Sequence, residues 1–349
     1  MSLAVNTLPT RLVWNGSGLP RSILAQLRGF RHKILGPNPT RLRLALSLLI
    51  AIVAVSTASV LIRFAQQDAP SISIAALRLT FATALLAPVA LHKYRPQLLA
   101  ATAGEVLLAG VSGLLLAIHF GTWISSLEYT SVASSVVLVS TGPIWVALLS
   151  SVFLREHLAP AAVFGLLLSV LGGVIIGAAD MCSWVGGVQC AHMDEVLRGQ
   201  AVWGDALALA GALAVSGYLM LGRRLRATMP LVPYVFMVYG FAAIGLLMAV
   251  AATDSALVGY KPLTYLWLLL LALVPQLIGH STYNWALRFL PATFVSVLGL
   301  GEPIGSAILA YFILSEKPGL VVLLGGAVVL LGIYLVSRGV RDQKLALEV

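Results

Sequence analysis

From Leu42 the chain reads LRLALSLLIAIVAV, apolar at odd and even positions alike, and stretches of this kind recur almost to its end. They fall near 44–65, 72–92, 105–127, 131–153, 160–179, 201–221, 232–252, 263–287, 291–314 and 319–337, parted by short turns carrying charge, proline or glycine. Such lengths suit helices that rise ~1.5 Å per residue and must cross ~30 Å of hydrocarbon. A β-barrel needs apolar and polar residues in alternation, which these runs lack, so helices are the spanning structure left. The sequence therefore predicts an all-α integral membrane protein with ten transmembrane helices. With 59% hydrophobic and only 10% charged residues among 349, little chain remains for a soluble domain.

The net charge of +9 sits in short basic clusters beside the apolar runs, where it reads as a topology signal, and no nucleic-acid partner is expected. A cytoplasmic N-terminus collects on that side Arg41, Arg43, Lys93, Arg95, Arg155, Arg223, Arg224, Arg226, Arg288, Arg338, Arg341 and Lys344. The other face keeps Arg63, Arg198, Lys261 and Lys317, among acidic residues such as Asp180, Asp194, Glu195 and Asp254. Both termini are thus expected in the cytoplasm, with the chain in the cytoplasmic (inner) membrane and residues 338–349 as a short tail. Residues 1–43 are basic without a long apolar core, unlike a cleaved signal peptide, so the first span is expected to target the chain. Within them Ile23, Leu27, Phe30 and Ile34 share one helical face, which leaves an interfacial helix and a disordered tail both open. The loop 180–200 falls outside the cytoplasm and carries Cys182 and Cys190, where an oxidising compartment permits a disulfide and two unpaired thiols are the alternative. Their spacing with His192 fits no familiar zinc pattern, and no metal is expected.

Displaced by 160 residues against itself, the chain matches without gaps. AVSTASVLIR at 54–63 falls on AVSGYLMLGR at 214–223; Phe81 meets Phe241, Thr122 meets Thr282, Pro143 meets Pro303, Glu156 meets Glu316, Gly165 meets Gly325 and Gly172 meets Gly332. Two five-helix units follow, 44–179 and 201–337. Five is odd, so the second unit enters the membrane from the opposite side. Inverted halves can exchange unequal conformations and so alternate access between the two faces; a duplication kept only for packing is the other reading.

LEYTSVASSVVLVSTGPIWVALLSSVFLRE (127–156), NWALRFLPATFVSVLGLGEPIGSAILAYFILSE (284–316) and LGRRLR (221–226) resemble the EamA-like family of the drug/metabolite transporter superfamily. The likeness covers about 44–337. It implies ten helices in two inverted halves, a central cavity, and transport of small metabolites, often outward, across a cytoplasmic membrane. The N-terminal extension and the cysteine-bearing loop stand outside the family's pattern.

Pro143 and Pro303 each remove a backbone hydrogen bond inside an apolar segment, and the carbonyls so freed are tolerated only against protein or a water-filled cavity. They point to a cavity between the fourth and ninth segments. Beside the second proline, Glu302 with Ser306 one turn on must be neutral, paired or facing water. It reads as a proton- or cation-binding group, or as a structural carboxylate satisfied by Arg78 or a backbone amide. Arg78 attracts an anionic substrate group, neutralises Glu302, or packs. His119, Trp123 and Ser126 share one face of the third segment, while His280 and Asn284 share one face of the eighth with Tyr283 beside them. Ser56 and Ser216, with Tyr218, are pathway candidates that equally suit bonding back to their own helices. Glu156 and Glu316 at segment ends read as gate or capping charges, paired with Arg155 and Lys317 or across the repeat interface. Gly173 and Gly177, and Gly301 and Gly305, have the GxxxG spacing of close helix contact, within a monomer or in a homodimer.

The expected function is a secondary transporter for small metabolites, with amino acids and relatives leading and export favoured, embedded in lipid and needing no cofactor. Proton coupling stays open. No P-loop for an ATP-driven pump occurs, nor a GxSxG or HExxH pattern, which sets an intramembrane enzyme behind; a scaffold without flux is the remaining alternative.

Overall fold

The computed structural model describes residues 39–154, 160–184, 188–190, 199–290, 292–299 and 301–347. Residues 1–38 of the basic N-terminal tail, Arg155, Glu156 and His192 lie outside these residues. Seven described helices are long and apolar enough to cross a membrane: Arg41–Ala65, Ser71–Lys93, Ala103–Tyr129, Val132–Leu149, Gln200–Leu225, Leu231–Ala252 and Pro262–Ala286. Three further apolar helical stretches, Val163–Gly172, Gly301–Ile313 and Leu320–Gly332, are shorter than a crossing. The expectation of ten full-length crossings is thus met by seven among the described residues.

In chain order the helices are α1 Arg41–Ser56, α2 Ala58–Ala65, α3 Ser71–Lys93, α4 Arg95–Leu99, α5 Ala103–Tyr129, α6 Val132–Val139, α7 Gly142–Leu154 and α8 Pro160–Met181. A small antiparallel hairpin follows, β1 Cys182–Trp184 with β2 Val188–Cys190. Then come α9 Gln200–Leu225, α10 Leu231–Ala252, α11 Pro262–Leu271, a π-helical stretch Ala272–His280 and α12 Ser281–Ala286. The last are α13 Ala292–Leu298, α14 Gly301–Ile313 and α15 Leu320–Leu347.

Local chemistry sets several of these ends. Thr102 begins α5 with a reciprocal cap: its hydroxyl accepts from the Glu105 N–H at 3.2 Å, and Glu105 accepts from the Thr102 N–H at 3.0 Å. Ser131 caps α6 by accepting from the Ser134 N–H at 3.0 Å. Asp68, in the turn before α3, accepts from the Lys261 N–H at 2.7 Å and the Thr264 hydroxyl at 2.8 Å, so one carboxylate caps the remote helix α11. Those bonds, the backbone one first, hold Asp68 below the usual carboxylate pKa.

Small residues fix the crossings. Gly211 of α9 lies against Thr122, Trp123 and the His119 carbonyl of α5, and Gly204 lies against Tyr129 and the Ser126 carbonyl, so α5 and α9 run antiparallel in close contact. On the other side of the bundle, Gly279 of the π-helical stretch meets Val55 and the Ala51 carbonyl of α1. Gly172 of α8 is closed in by Val329 and the Gly325 carbonyl of α15, and Gly332 of α15 by Ser169 and the Gly165 carbonyl of α8. Numbers rise on one helix as they fall on the other, so α8 and α15 are antiparallel. Ser169 donates to the Val329 carbonyl at 3.3 Å, joining two positions 160 apart.

Candidate functional site

Both proline-bearing segments are broken rather than kinked. α6 ends at Val139 and α7 begins at Gly142, while α13 ends at Leu298 and α14 begins at Gly301. Pro143 and Pro303 therefore sit in the first turns of α7 and α14, where a missing N–H has no intrahelical partner to lose. This corrects the expectation of prolines clashing inside continuous helices. The cost falls on the broken turns, where the Gly142 carbonyl accepts from the Ser216 hydroxyl at 3.0 Å.

A cavity of about 80 Å³ lies where the two breaks face each other, walled by α5, α6, α7, α9, the π-helical end, α12, α13 and α14. That exceeds the ~10–15 Å³ needed to admit one water. Its polar lining includes His119, Trp123, Ser140, Tyr218, His280, Tyr283, Ser296 and Glu302; Pro143 lines it too, whereas Pro303 does not. Trp123 and Tyr283 occupy equivalent places in the two repeats and both reach the cavity. The Trp123 indole N–H and the Tyr283 hydroxyl are buried without a hydrogen-bond partner among the described residues. His119 stacks on Trp123 with ring centroids 5.8 Å apart and 11° between planes, and stands 6.3 Å from the His280 ring. Its Nδ1 donates to the Gly211 carbonyl at 3.0 Å, which leaves Nε2 as the acceptor of the neutral ring.

Arg78 is fully buried on α3 but outside the cavity wall. Its Nε donates to Gln276 Oε1 at 3.0 Å, its guanidinium carbon lies 4.0 Å from the Phe120 ring centre, and both terminal nitrogens lack partners among the described residues. Phe120 in turn meets His280 edge-on at 5.2 Å, so Arg78 stands one ring behind the cavity. No contact within 4.0 Å joins Arg78 to Glu302, which corrects the reading of a direct pair. Arg78 thus stands behind the wall and Glu302 within it, without direct contact between them.

Several candidates fall elsewhere. Asn284 is fully buried behind the wall, donating to the Tyr218 hydroxyl at 2.5 Å and the Tyr239 hydroxyl at 3.3 Å. His280 lines the cavity, whereas Asn284, one α-helical turn on, lies against Tyr218 and Tyr239 behind the wall. Ser126 bonds Ser135 at 2.6 Å, away from the cavity. Ser56 and Ser216 bond back to the carbonyls four residues earlier, Ile52 and Ala212, at 2.8 and 2.7 Å. Ser306 donates to the Ser56 carbonyl at 3.1 Å and Gly305 lies against the Ser56 side chain, so this group seats α14 on α1. Gly301 likewise meets Ile52 of α1. The surroundings of Gly173 and Gly177 and the side chains of Cys182 and Cys190 lie outside what the structure describes.

Glu316 pairs across the bundle instead of with Lys317. Its carboxylate accepts from the Val132 N–H at 2.8 Å and lies 3.9 Å from Arg63, which donates to the Thr130 carbonyl at 3.0 Å. Arg223, the repeat counterpart of Arg63, donates to the Leu287 carbonyl at the end of α12. Each arginine thus closes the C-terminal end of the third or the eighth segment. The residues that the sequence reading passed over are Ser140 and Ser296 in the cavity lining and Phe120, Tyr239 and Gln276 behind it; all but Phe120 carry a polar group within an apolar run.

A multi-pass helical bundle whose broken helices meet around a polar-lined cavity has the architecture of a membrane carrier. The chain belongs to the EamA-like transporter family, which it matches over residues 42–178 and 202–338. It is similar to two Archaeoglobus fulgidus proteins, each named an uncharacterized transporter. One shares 26% identity over 236 residues, 66% of this chain and 73% of the relative. The other shares 24% over 225 residues, 60% and 69% respectively. A crystal structure at 22% identity superposes with a TM-score of 0.58, covering 85% of this chain and 96% of the other, a likeness of fold. A small-molecule substrate and a lipid bilayer follow from the family.

Proposed function

We propose that this chain is a secondary transporter that moves small polar or amphipathic metabolites, with amino acids and their relatives as the leading class, by alternating access and in the export direction. The observation that carries the reading is the cavity between the two broken segments. It brings together the Glu302 carboxylate and two buried donors, on Trp123 and Tyr283, that lack acceptors among the described residues. A solute offering a donor to Glu302 and an acceptor to the indole and phenol would complete both.

Inverted topology of the two halves is part of the proposal. It is supported by the α8–α15 contact, where Gly172 on Val329 and Gly332 on Ser169 exchange under the 160-residue repeat. Two antiparallel helices exchanged in this way are related by a two-fold axis across their length, which for spanning helices lies in the membrane plane. Both termini in the cytoplasm, ten crossings and a monomeric or dimeric carrier complete the reading, with proton coupling at Glu302 and no further cofactor.

Purified protein in proteoliposomes, loaded with labelled amino acids, tests it. Efflux above empty liposomes is expected, and Glu302→Gln should lower it and flatten its dependence on pH. Unchanged flux of that variant across the pH range would leave Glu302 only a structural part. Lipid or peptide modification without solute movement would replace the carrier by an enzyme.

A further inference from the structure

The link between the two family-matched halves holds the only two cysteines of the chain, and the backbone sets them face to face. β1 and β2 are antiparallel with Cys182 opposite Cys190, Ser183 opposite Gln189 and Trp184 opposite Val188. Directly opposed residues of an antiparallel pair have Cα atoms ~4.5–5.5 Å apart. A disulfide spans Cα separations of ~4.4–6.8 Å. The outermost rung of the hairpin, next to the end of α8, is therefore a position that a disulfide can close without moving the backbone.

We propose that Cys182 and Cys190 form an intramolecular disulfide that covalently closes this hairpin, on the extracytoplasmic face of the membrane. The charge pattern supports that side, because Asp180, Asp194 and Glu195 flank the hairpin and Arg198 alone is basic there. Oxidising compartments are also where such bonds persist. Two thiols by themselves do not make a closed zinc site, which needs four ligands. Among the described residues no cluster of three or more His, Cys, Asp or Glu side chains gathers around a metal position.

The oxidant is a dithiol–disulfide exchange protein of that compartment. One cysteine thiolate attacks the exchanger's disulfide, forming a mixed disulfide and releasing the exchanger's first thiolate. The second cysteine then attacks the sulfur of the first, which expels the exchanger's other sulfur as its second thiolate. Cys182 and Cys190 together lose two electrons and two protons, and the exchanger leaves as a dithiol. The proposal involves no substrate and stands independently of the transport reading.

The test uses the full chain in native membranes, acid-quenched, denatured and treated with maleimide-linked polyethylene glycol. Because the chain has two cysteines, each label is one gel step. No label is expected before reduction and two after it, while Cys182→Ser alone should take one label without reductant. In sealed right-side-out vesicles, a charged phosphine that does not cross the bilayer should open the bond. Labelling of the unreduced protein, a disulfide-linked dimer, or a bond opened only after permeabilisation would each overturn the proposal.

Discussion

Gly332→Ala probes the contact on which the relation between the halves rests. An alanine Cβ there would stand 2.5 Å from the Gly165 carbonyl oxygen and 2.7 Å from the Ser169 nitrogen, and would strike the Ser169 hydroxyl. Ordinary contact starts at 3.4 Å, so relieving the carbonyl clash needs a separation of about 0.9 Å (3.4 − 2.5) between α8 and α15. Backbone atoms cannot turn aside as a side chain can. Overpacking of this kind costs about 1–3 kcal/mol, and the better helix propensity of alanine returns about 0.5–1 kcal/mol. Gly172→Ala meets the Val329 nitrogen at 2.7 Å and the Gly325 carbonyl at 2.8 Å, the same insult from the other helix and slightly milder. Gly110 of α5 has nothing within 4 Å of its missing Cβ, so Gly110→Ala gains the propensity term alone. The measurement is the temperature at which detergent-solubilised protein leaves the monodisperse peak in gel filtration. Gly332→Ala and Gly172→Ala should fall by several degrees and Gly110→Ala should hold or rise. Equal heat resistance of Gly332→Ala and Gly110→Ala would refute the close antiparallel crossing.

Arg78→Met should uncouple stability from flux: it removes a desolvated charge at similar volume, at the cost of one unpaired oxygen on Gln276 worth about 1–3 kcal/mol, so heat resistance should change little while efflux falls. A large loss of heat resistance with efflux intact would make Arg78 a packing residue. Trp123→Phe keeps the aromatic surface but deletes a donor that has no partner among the described residues, so solute affinity should weaken while heat resistance stays unchanged; unaltered affinity would take the indole out of recognition. Asp68 has its pKa lowered in the folded chain, so its capping contribution is present above the ordinary carboxylate range and fades as pH falls through the folded value. The wild-type advantage over Asp68→Asn in heat resistance should therefore shrink at acid pH, and an advantage that does not change with pH would refute that assignment.

Seven of the ten predicted spans were readable because hydrophobic length is a local property, and the 160-residue match carried the duplication with it. Pro143 and Pro303 marked the two discontinuities, yet a proline reads alike whether it kinks a helix or opens a new one. His119, Trp123, Tyr283 and Glu302 were legible as polar groups in apolar stretches and do line the cavity. Asn284, Ser56, Ser216 and Ser306 carried the same signal and pack elsewhere, because polarity in a span reports only that a partner exists. The Thr102–Glu105 cap joins residues three apart, a local bond that the reading of the sequence passed over, whereas Glu316 reaches Val132 from 184 positions away.

By itself the sequence determined the solvent, the class of element and the repeat, since each follows from composition and periodicity along the chain. Tertiary structure alone decided which polar groups meet. The π-helical stretch before Tyr283 is not visible in the local sequence, and the ring of Phe120 lies between Arg78 and the His280 that lines the cavity. Contact between remote residues depends on how helices rotate and cross, and close packing fixes that only once every segment is in place.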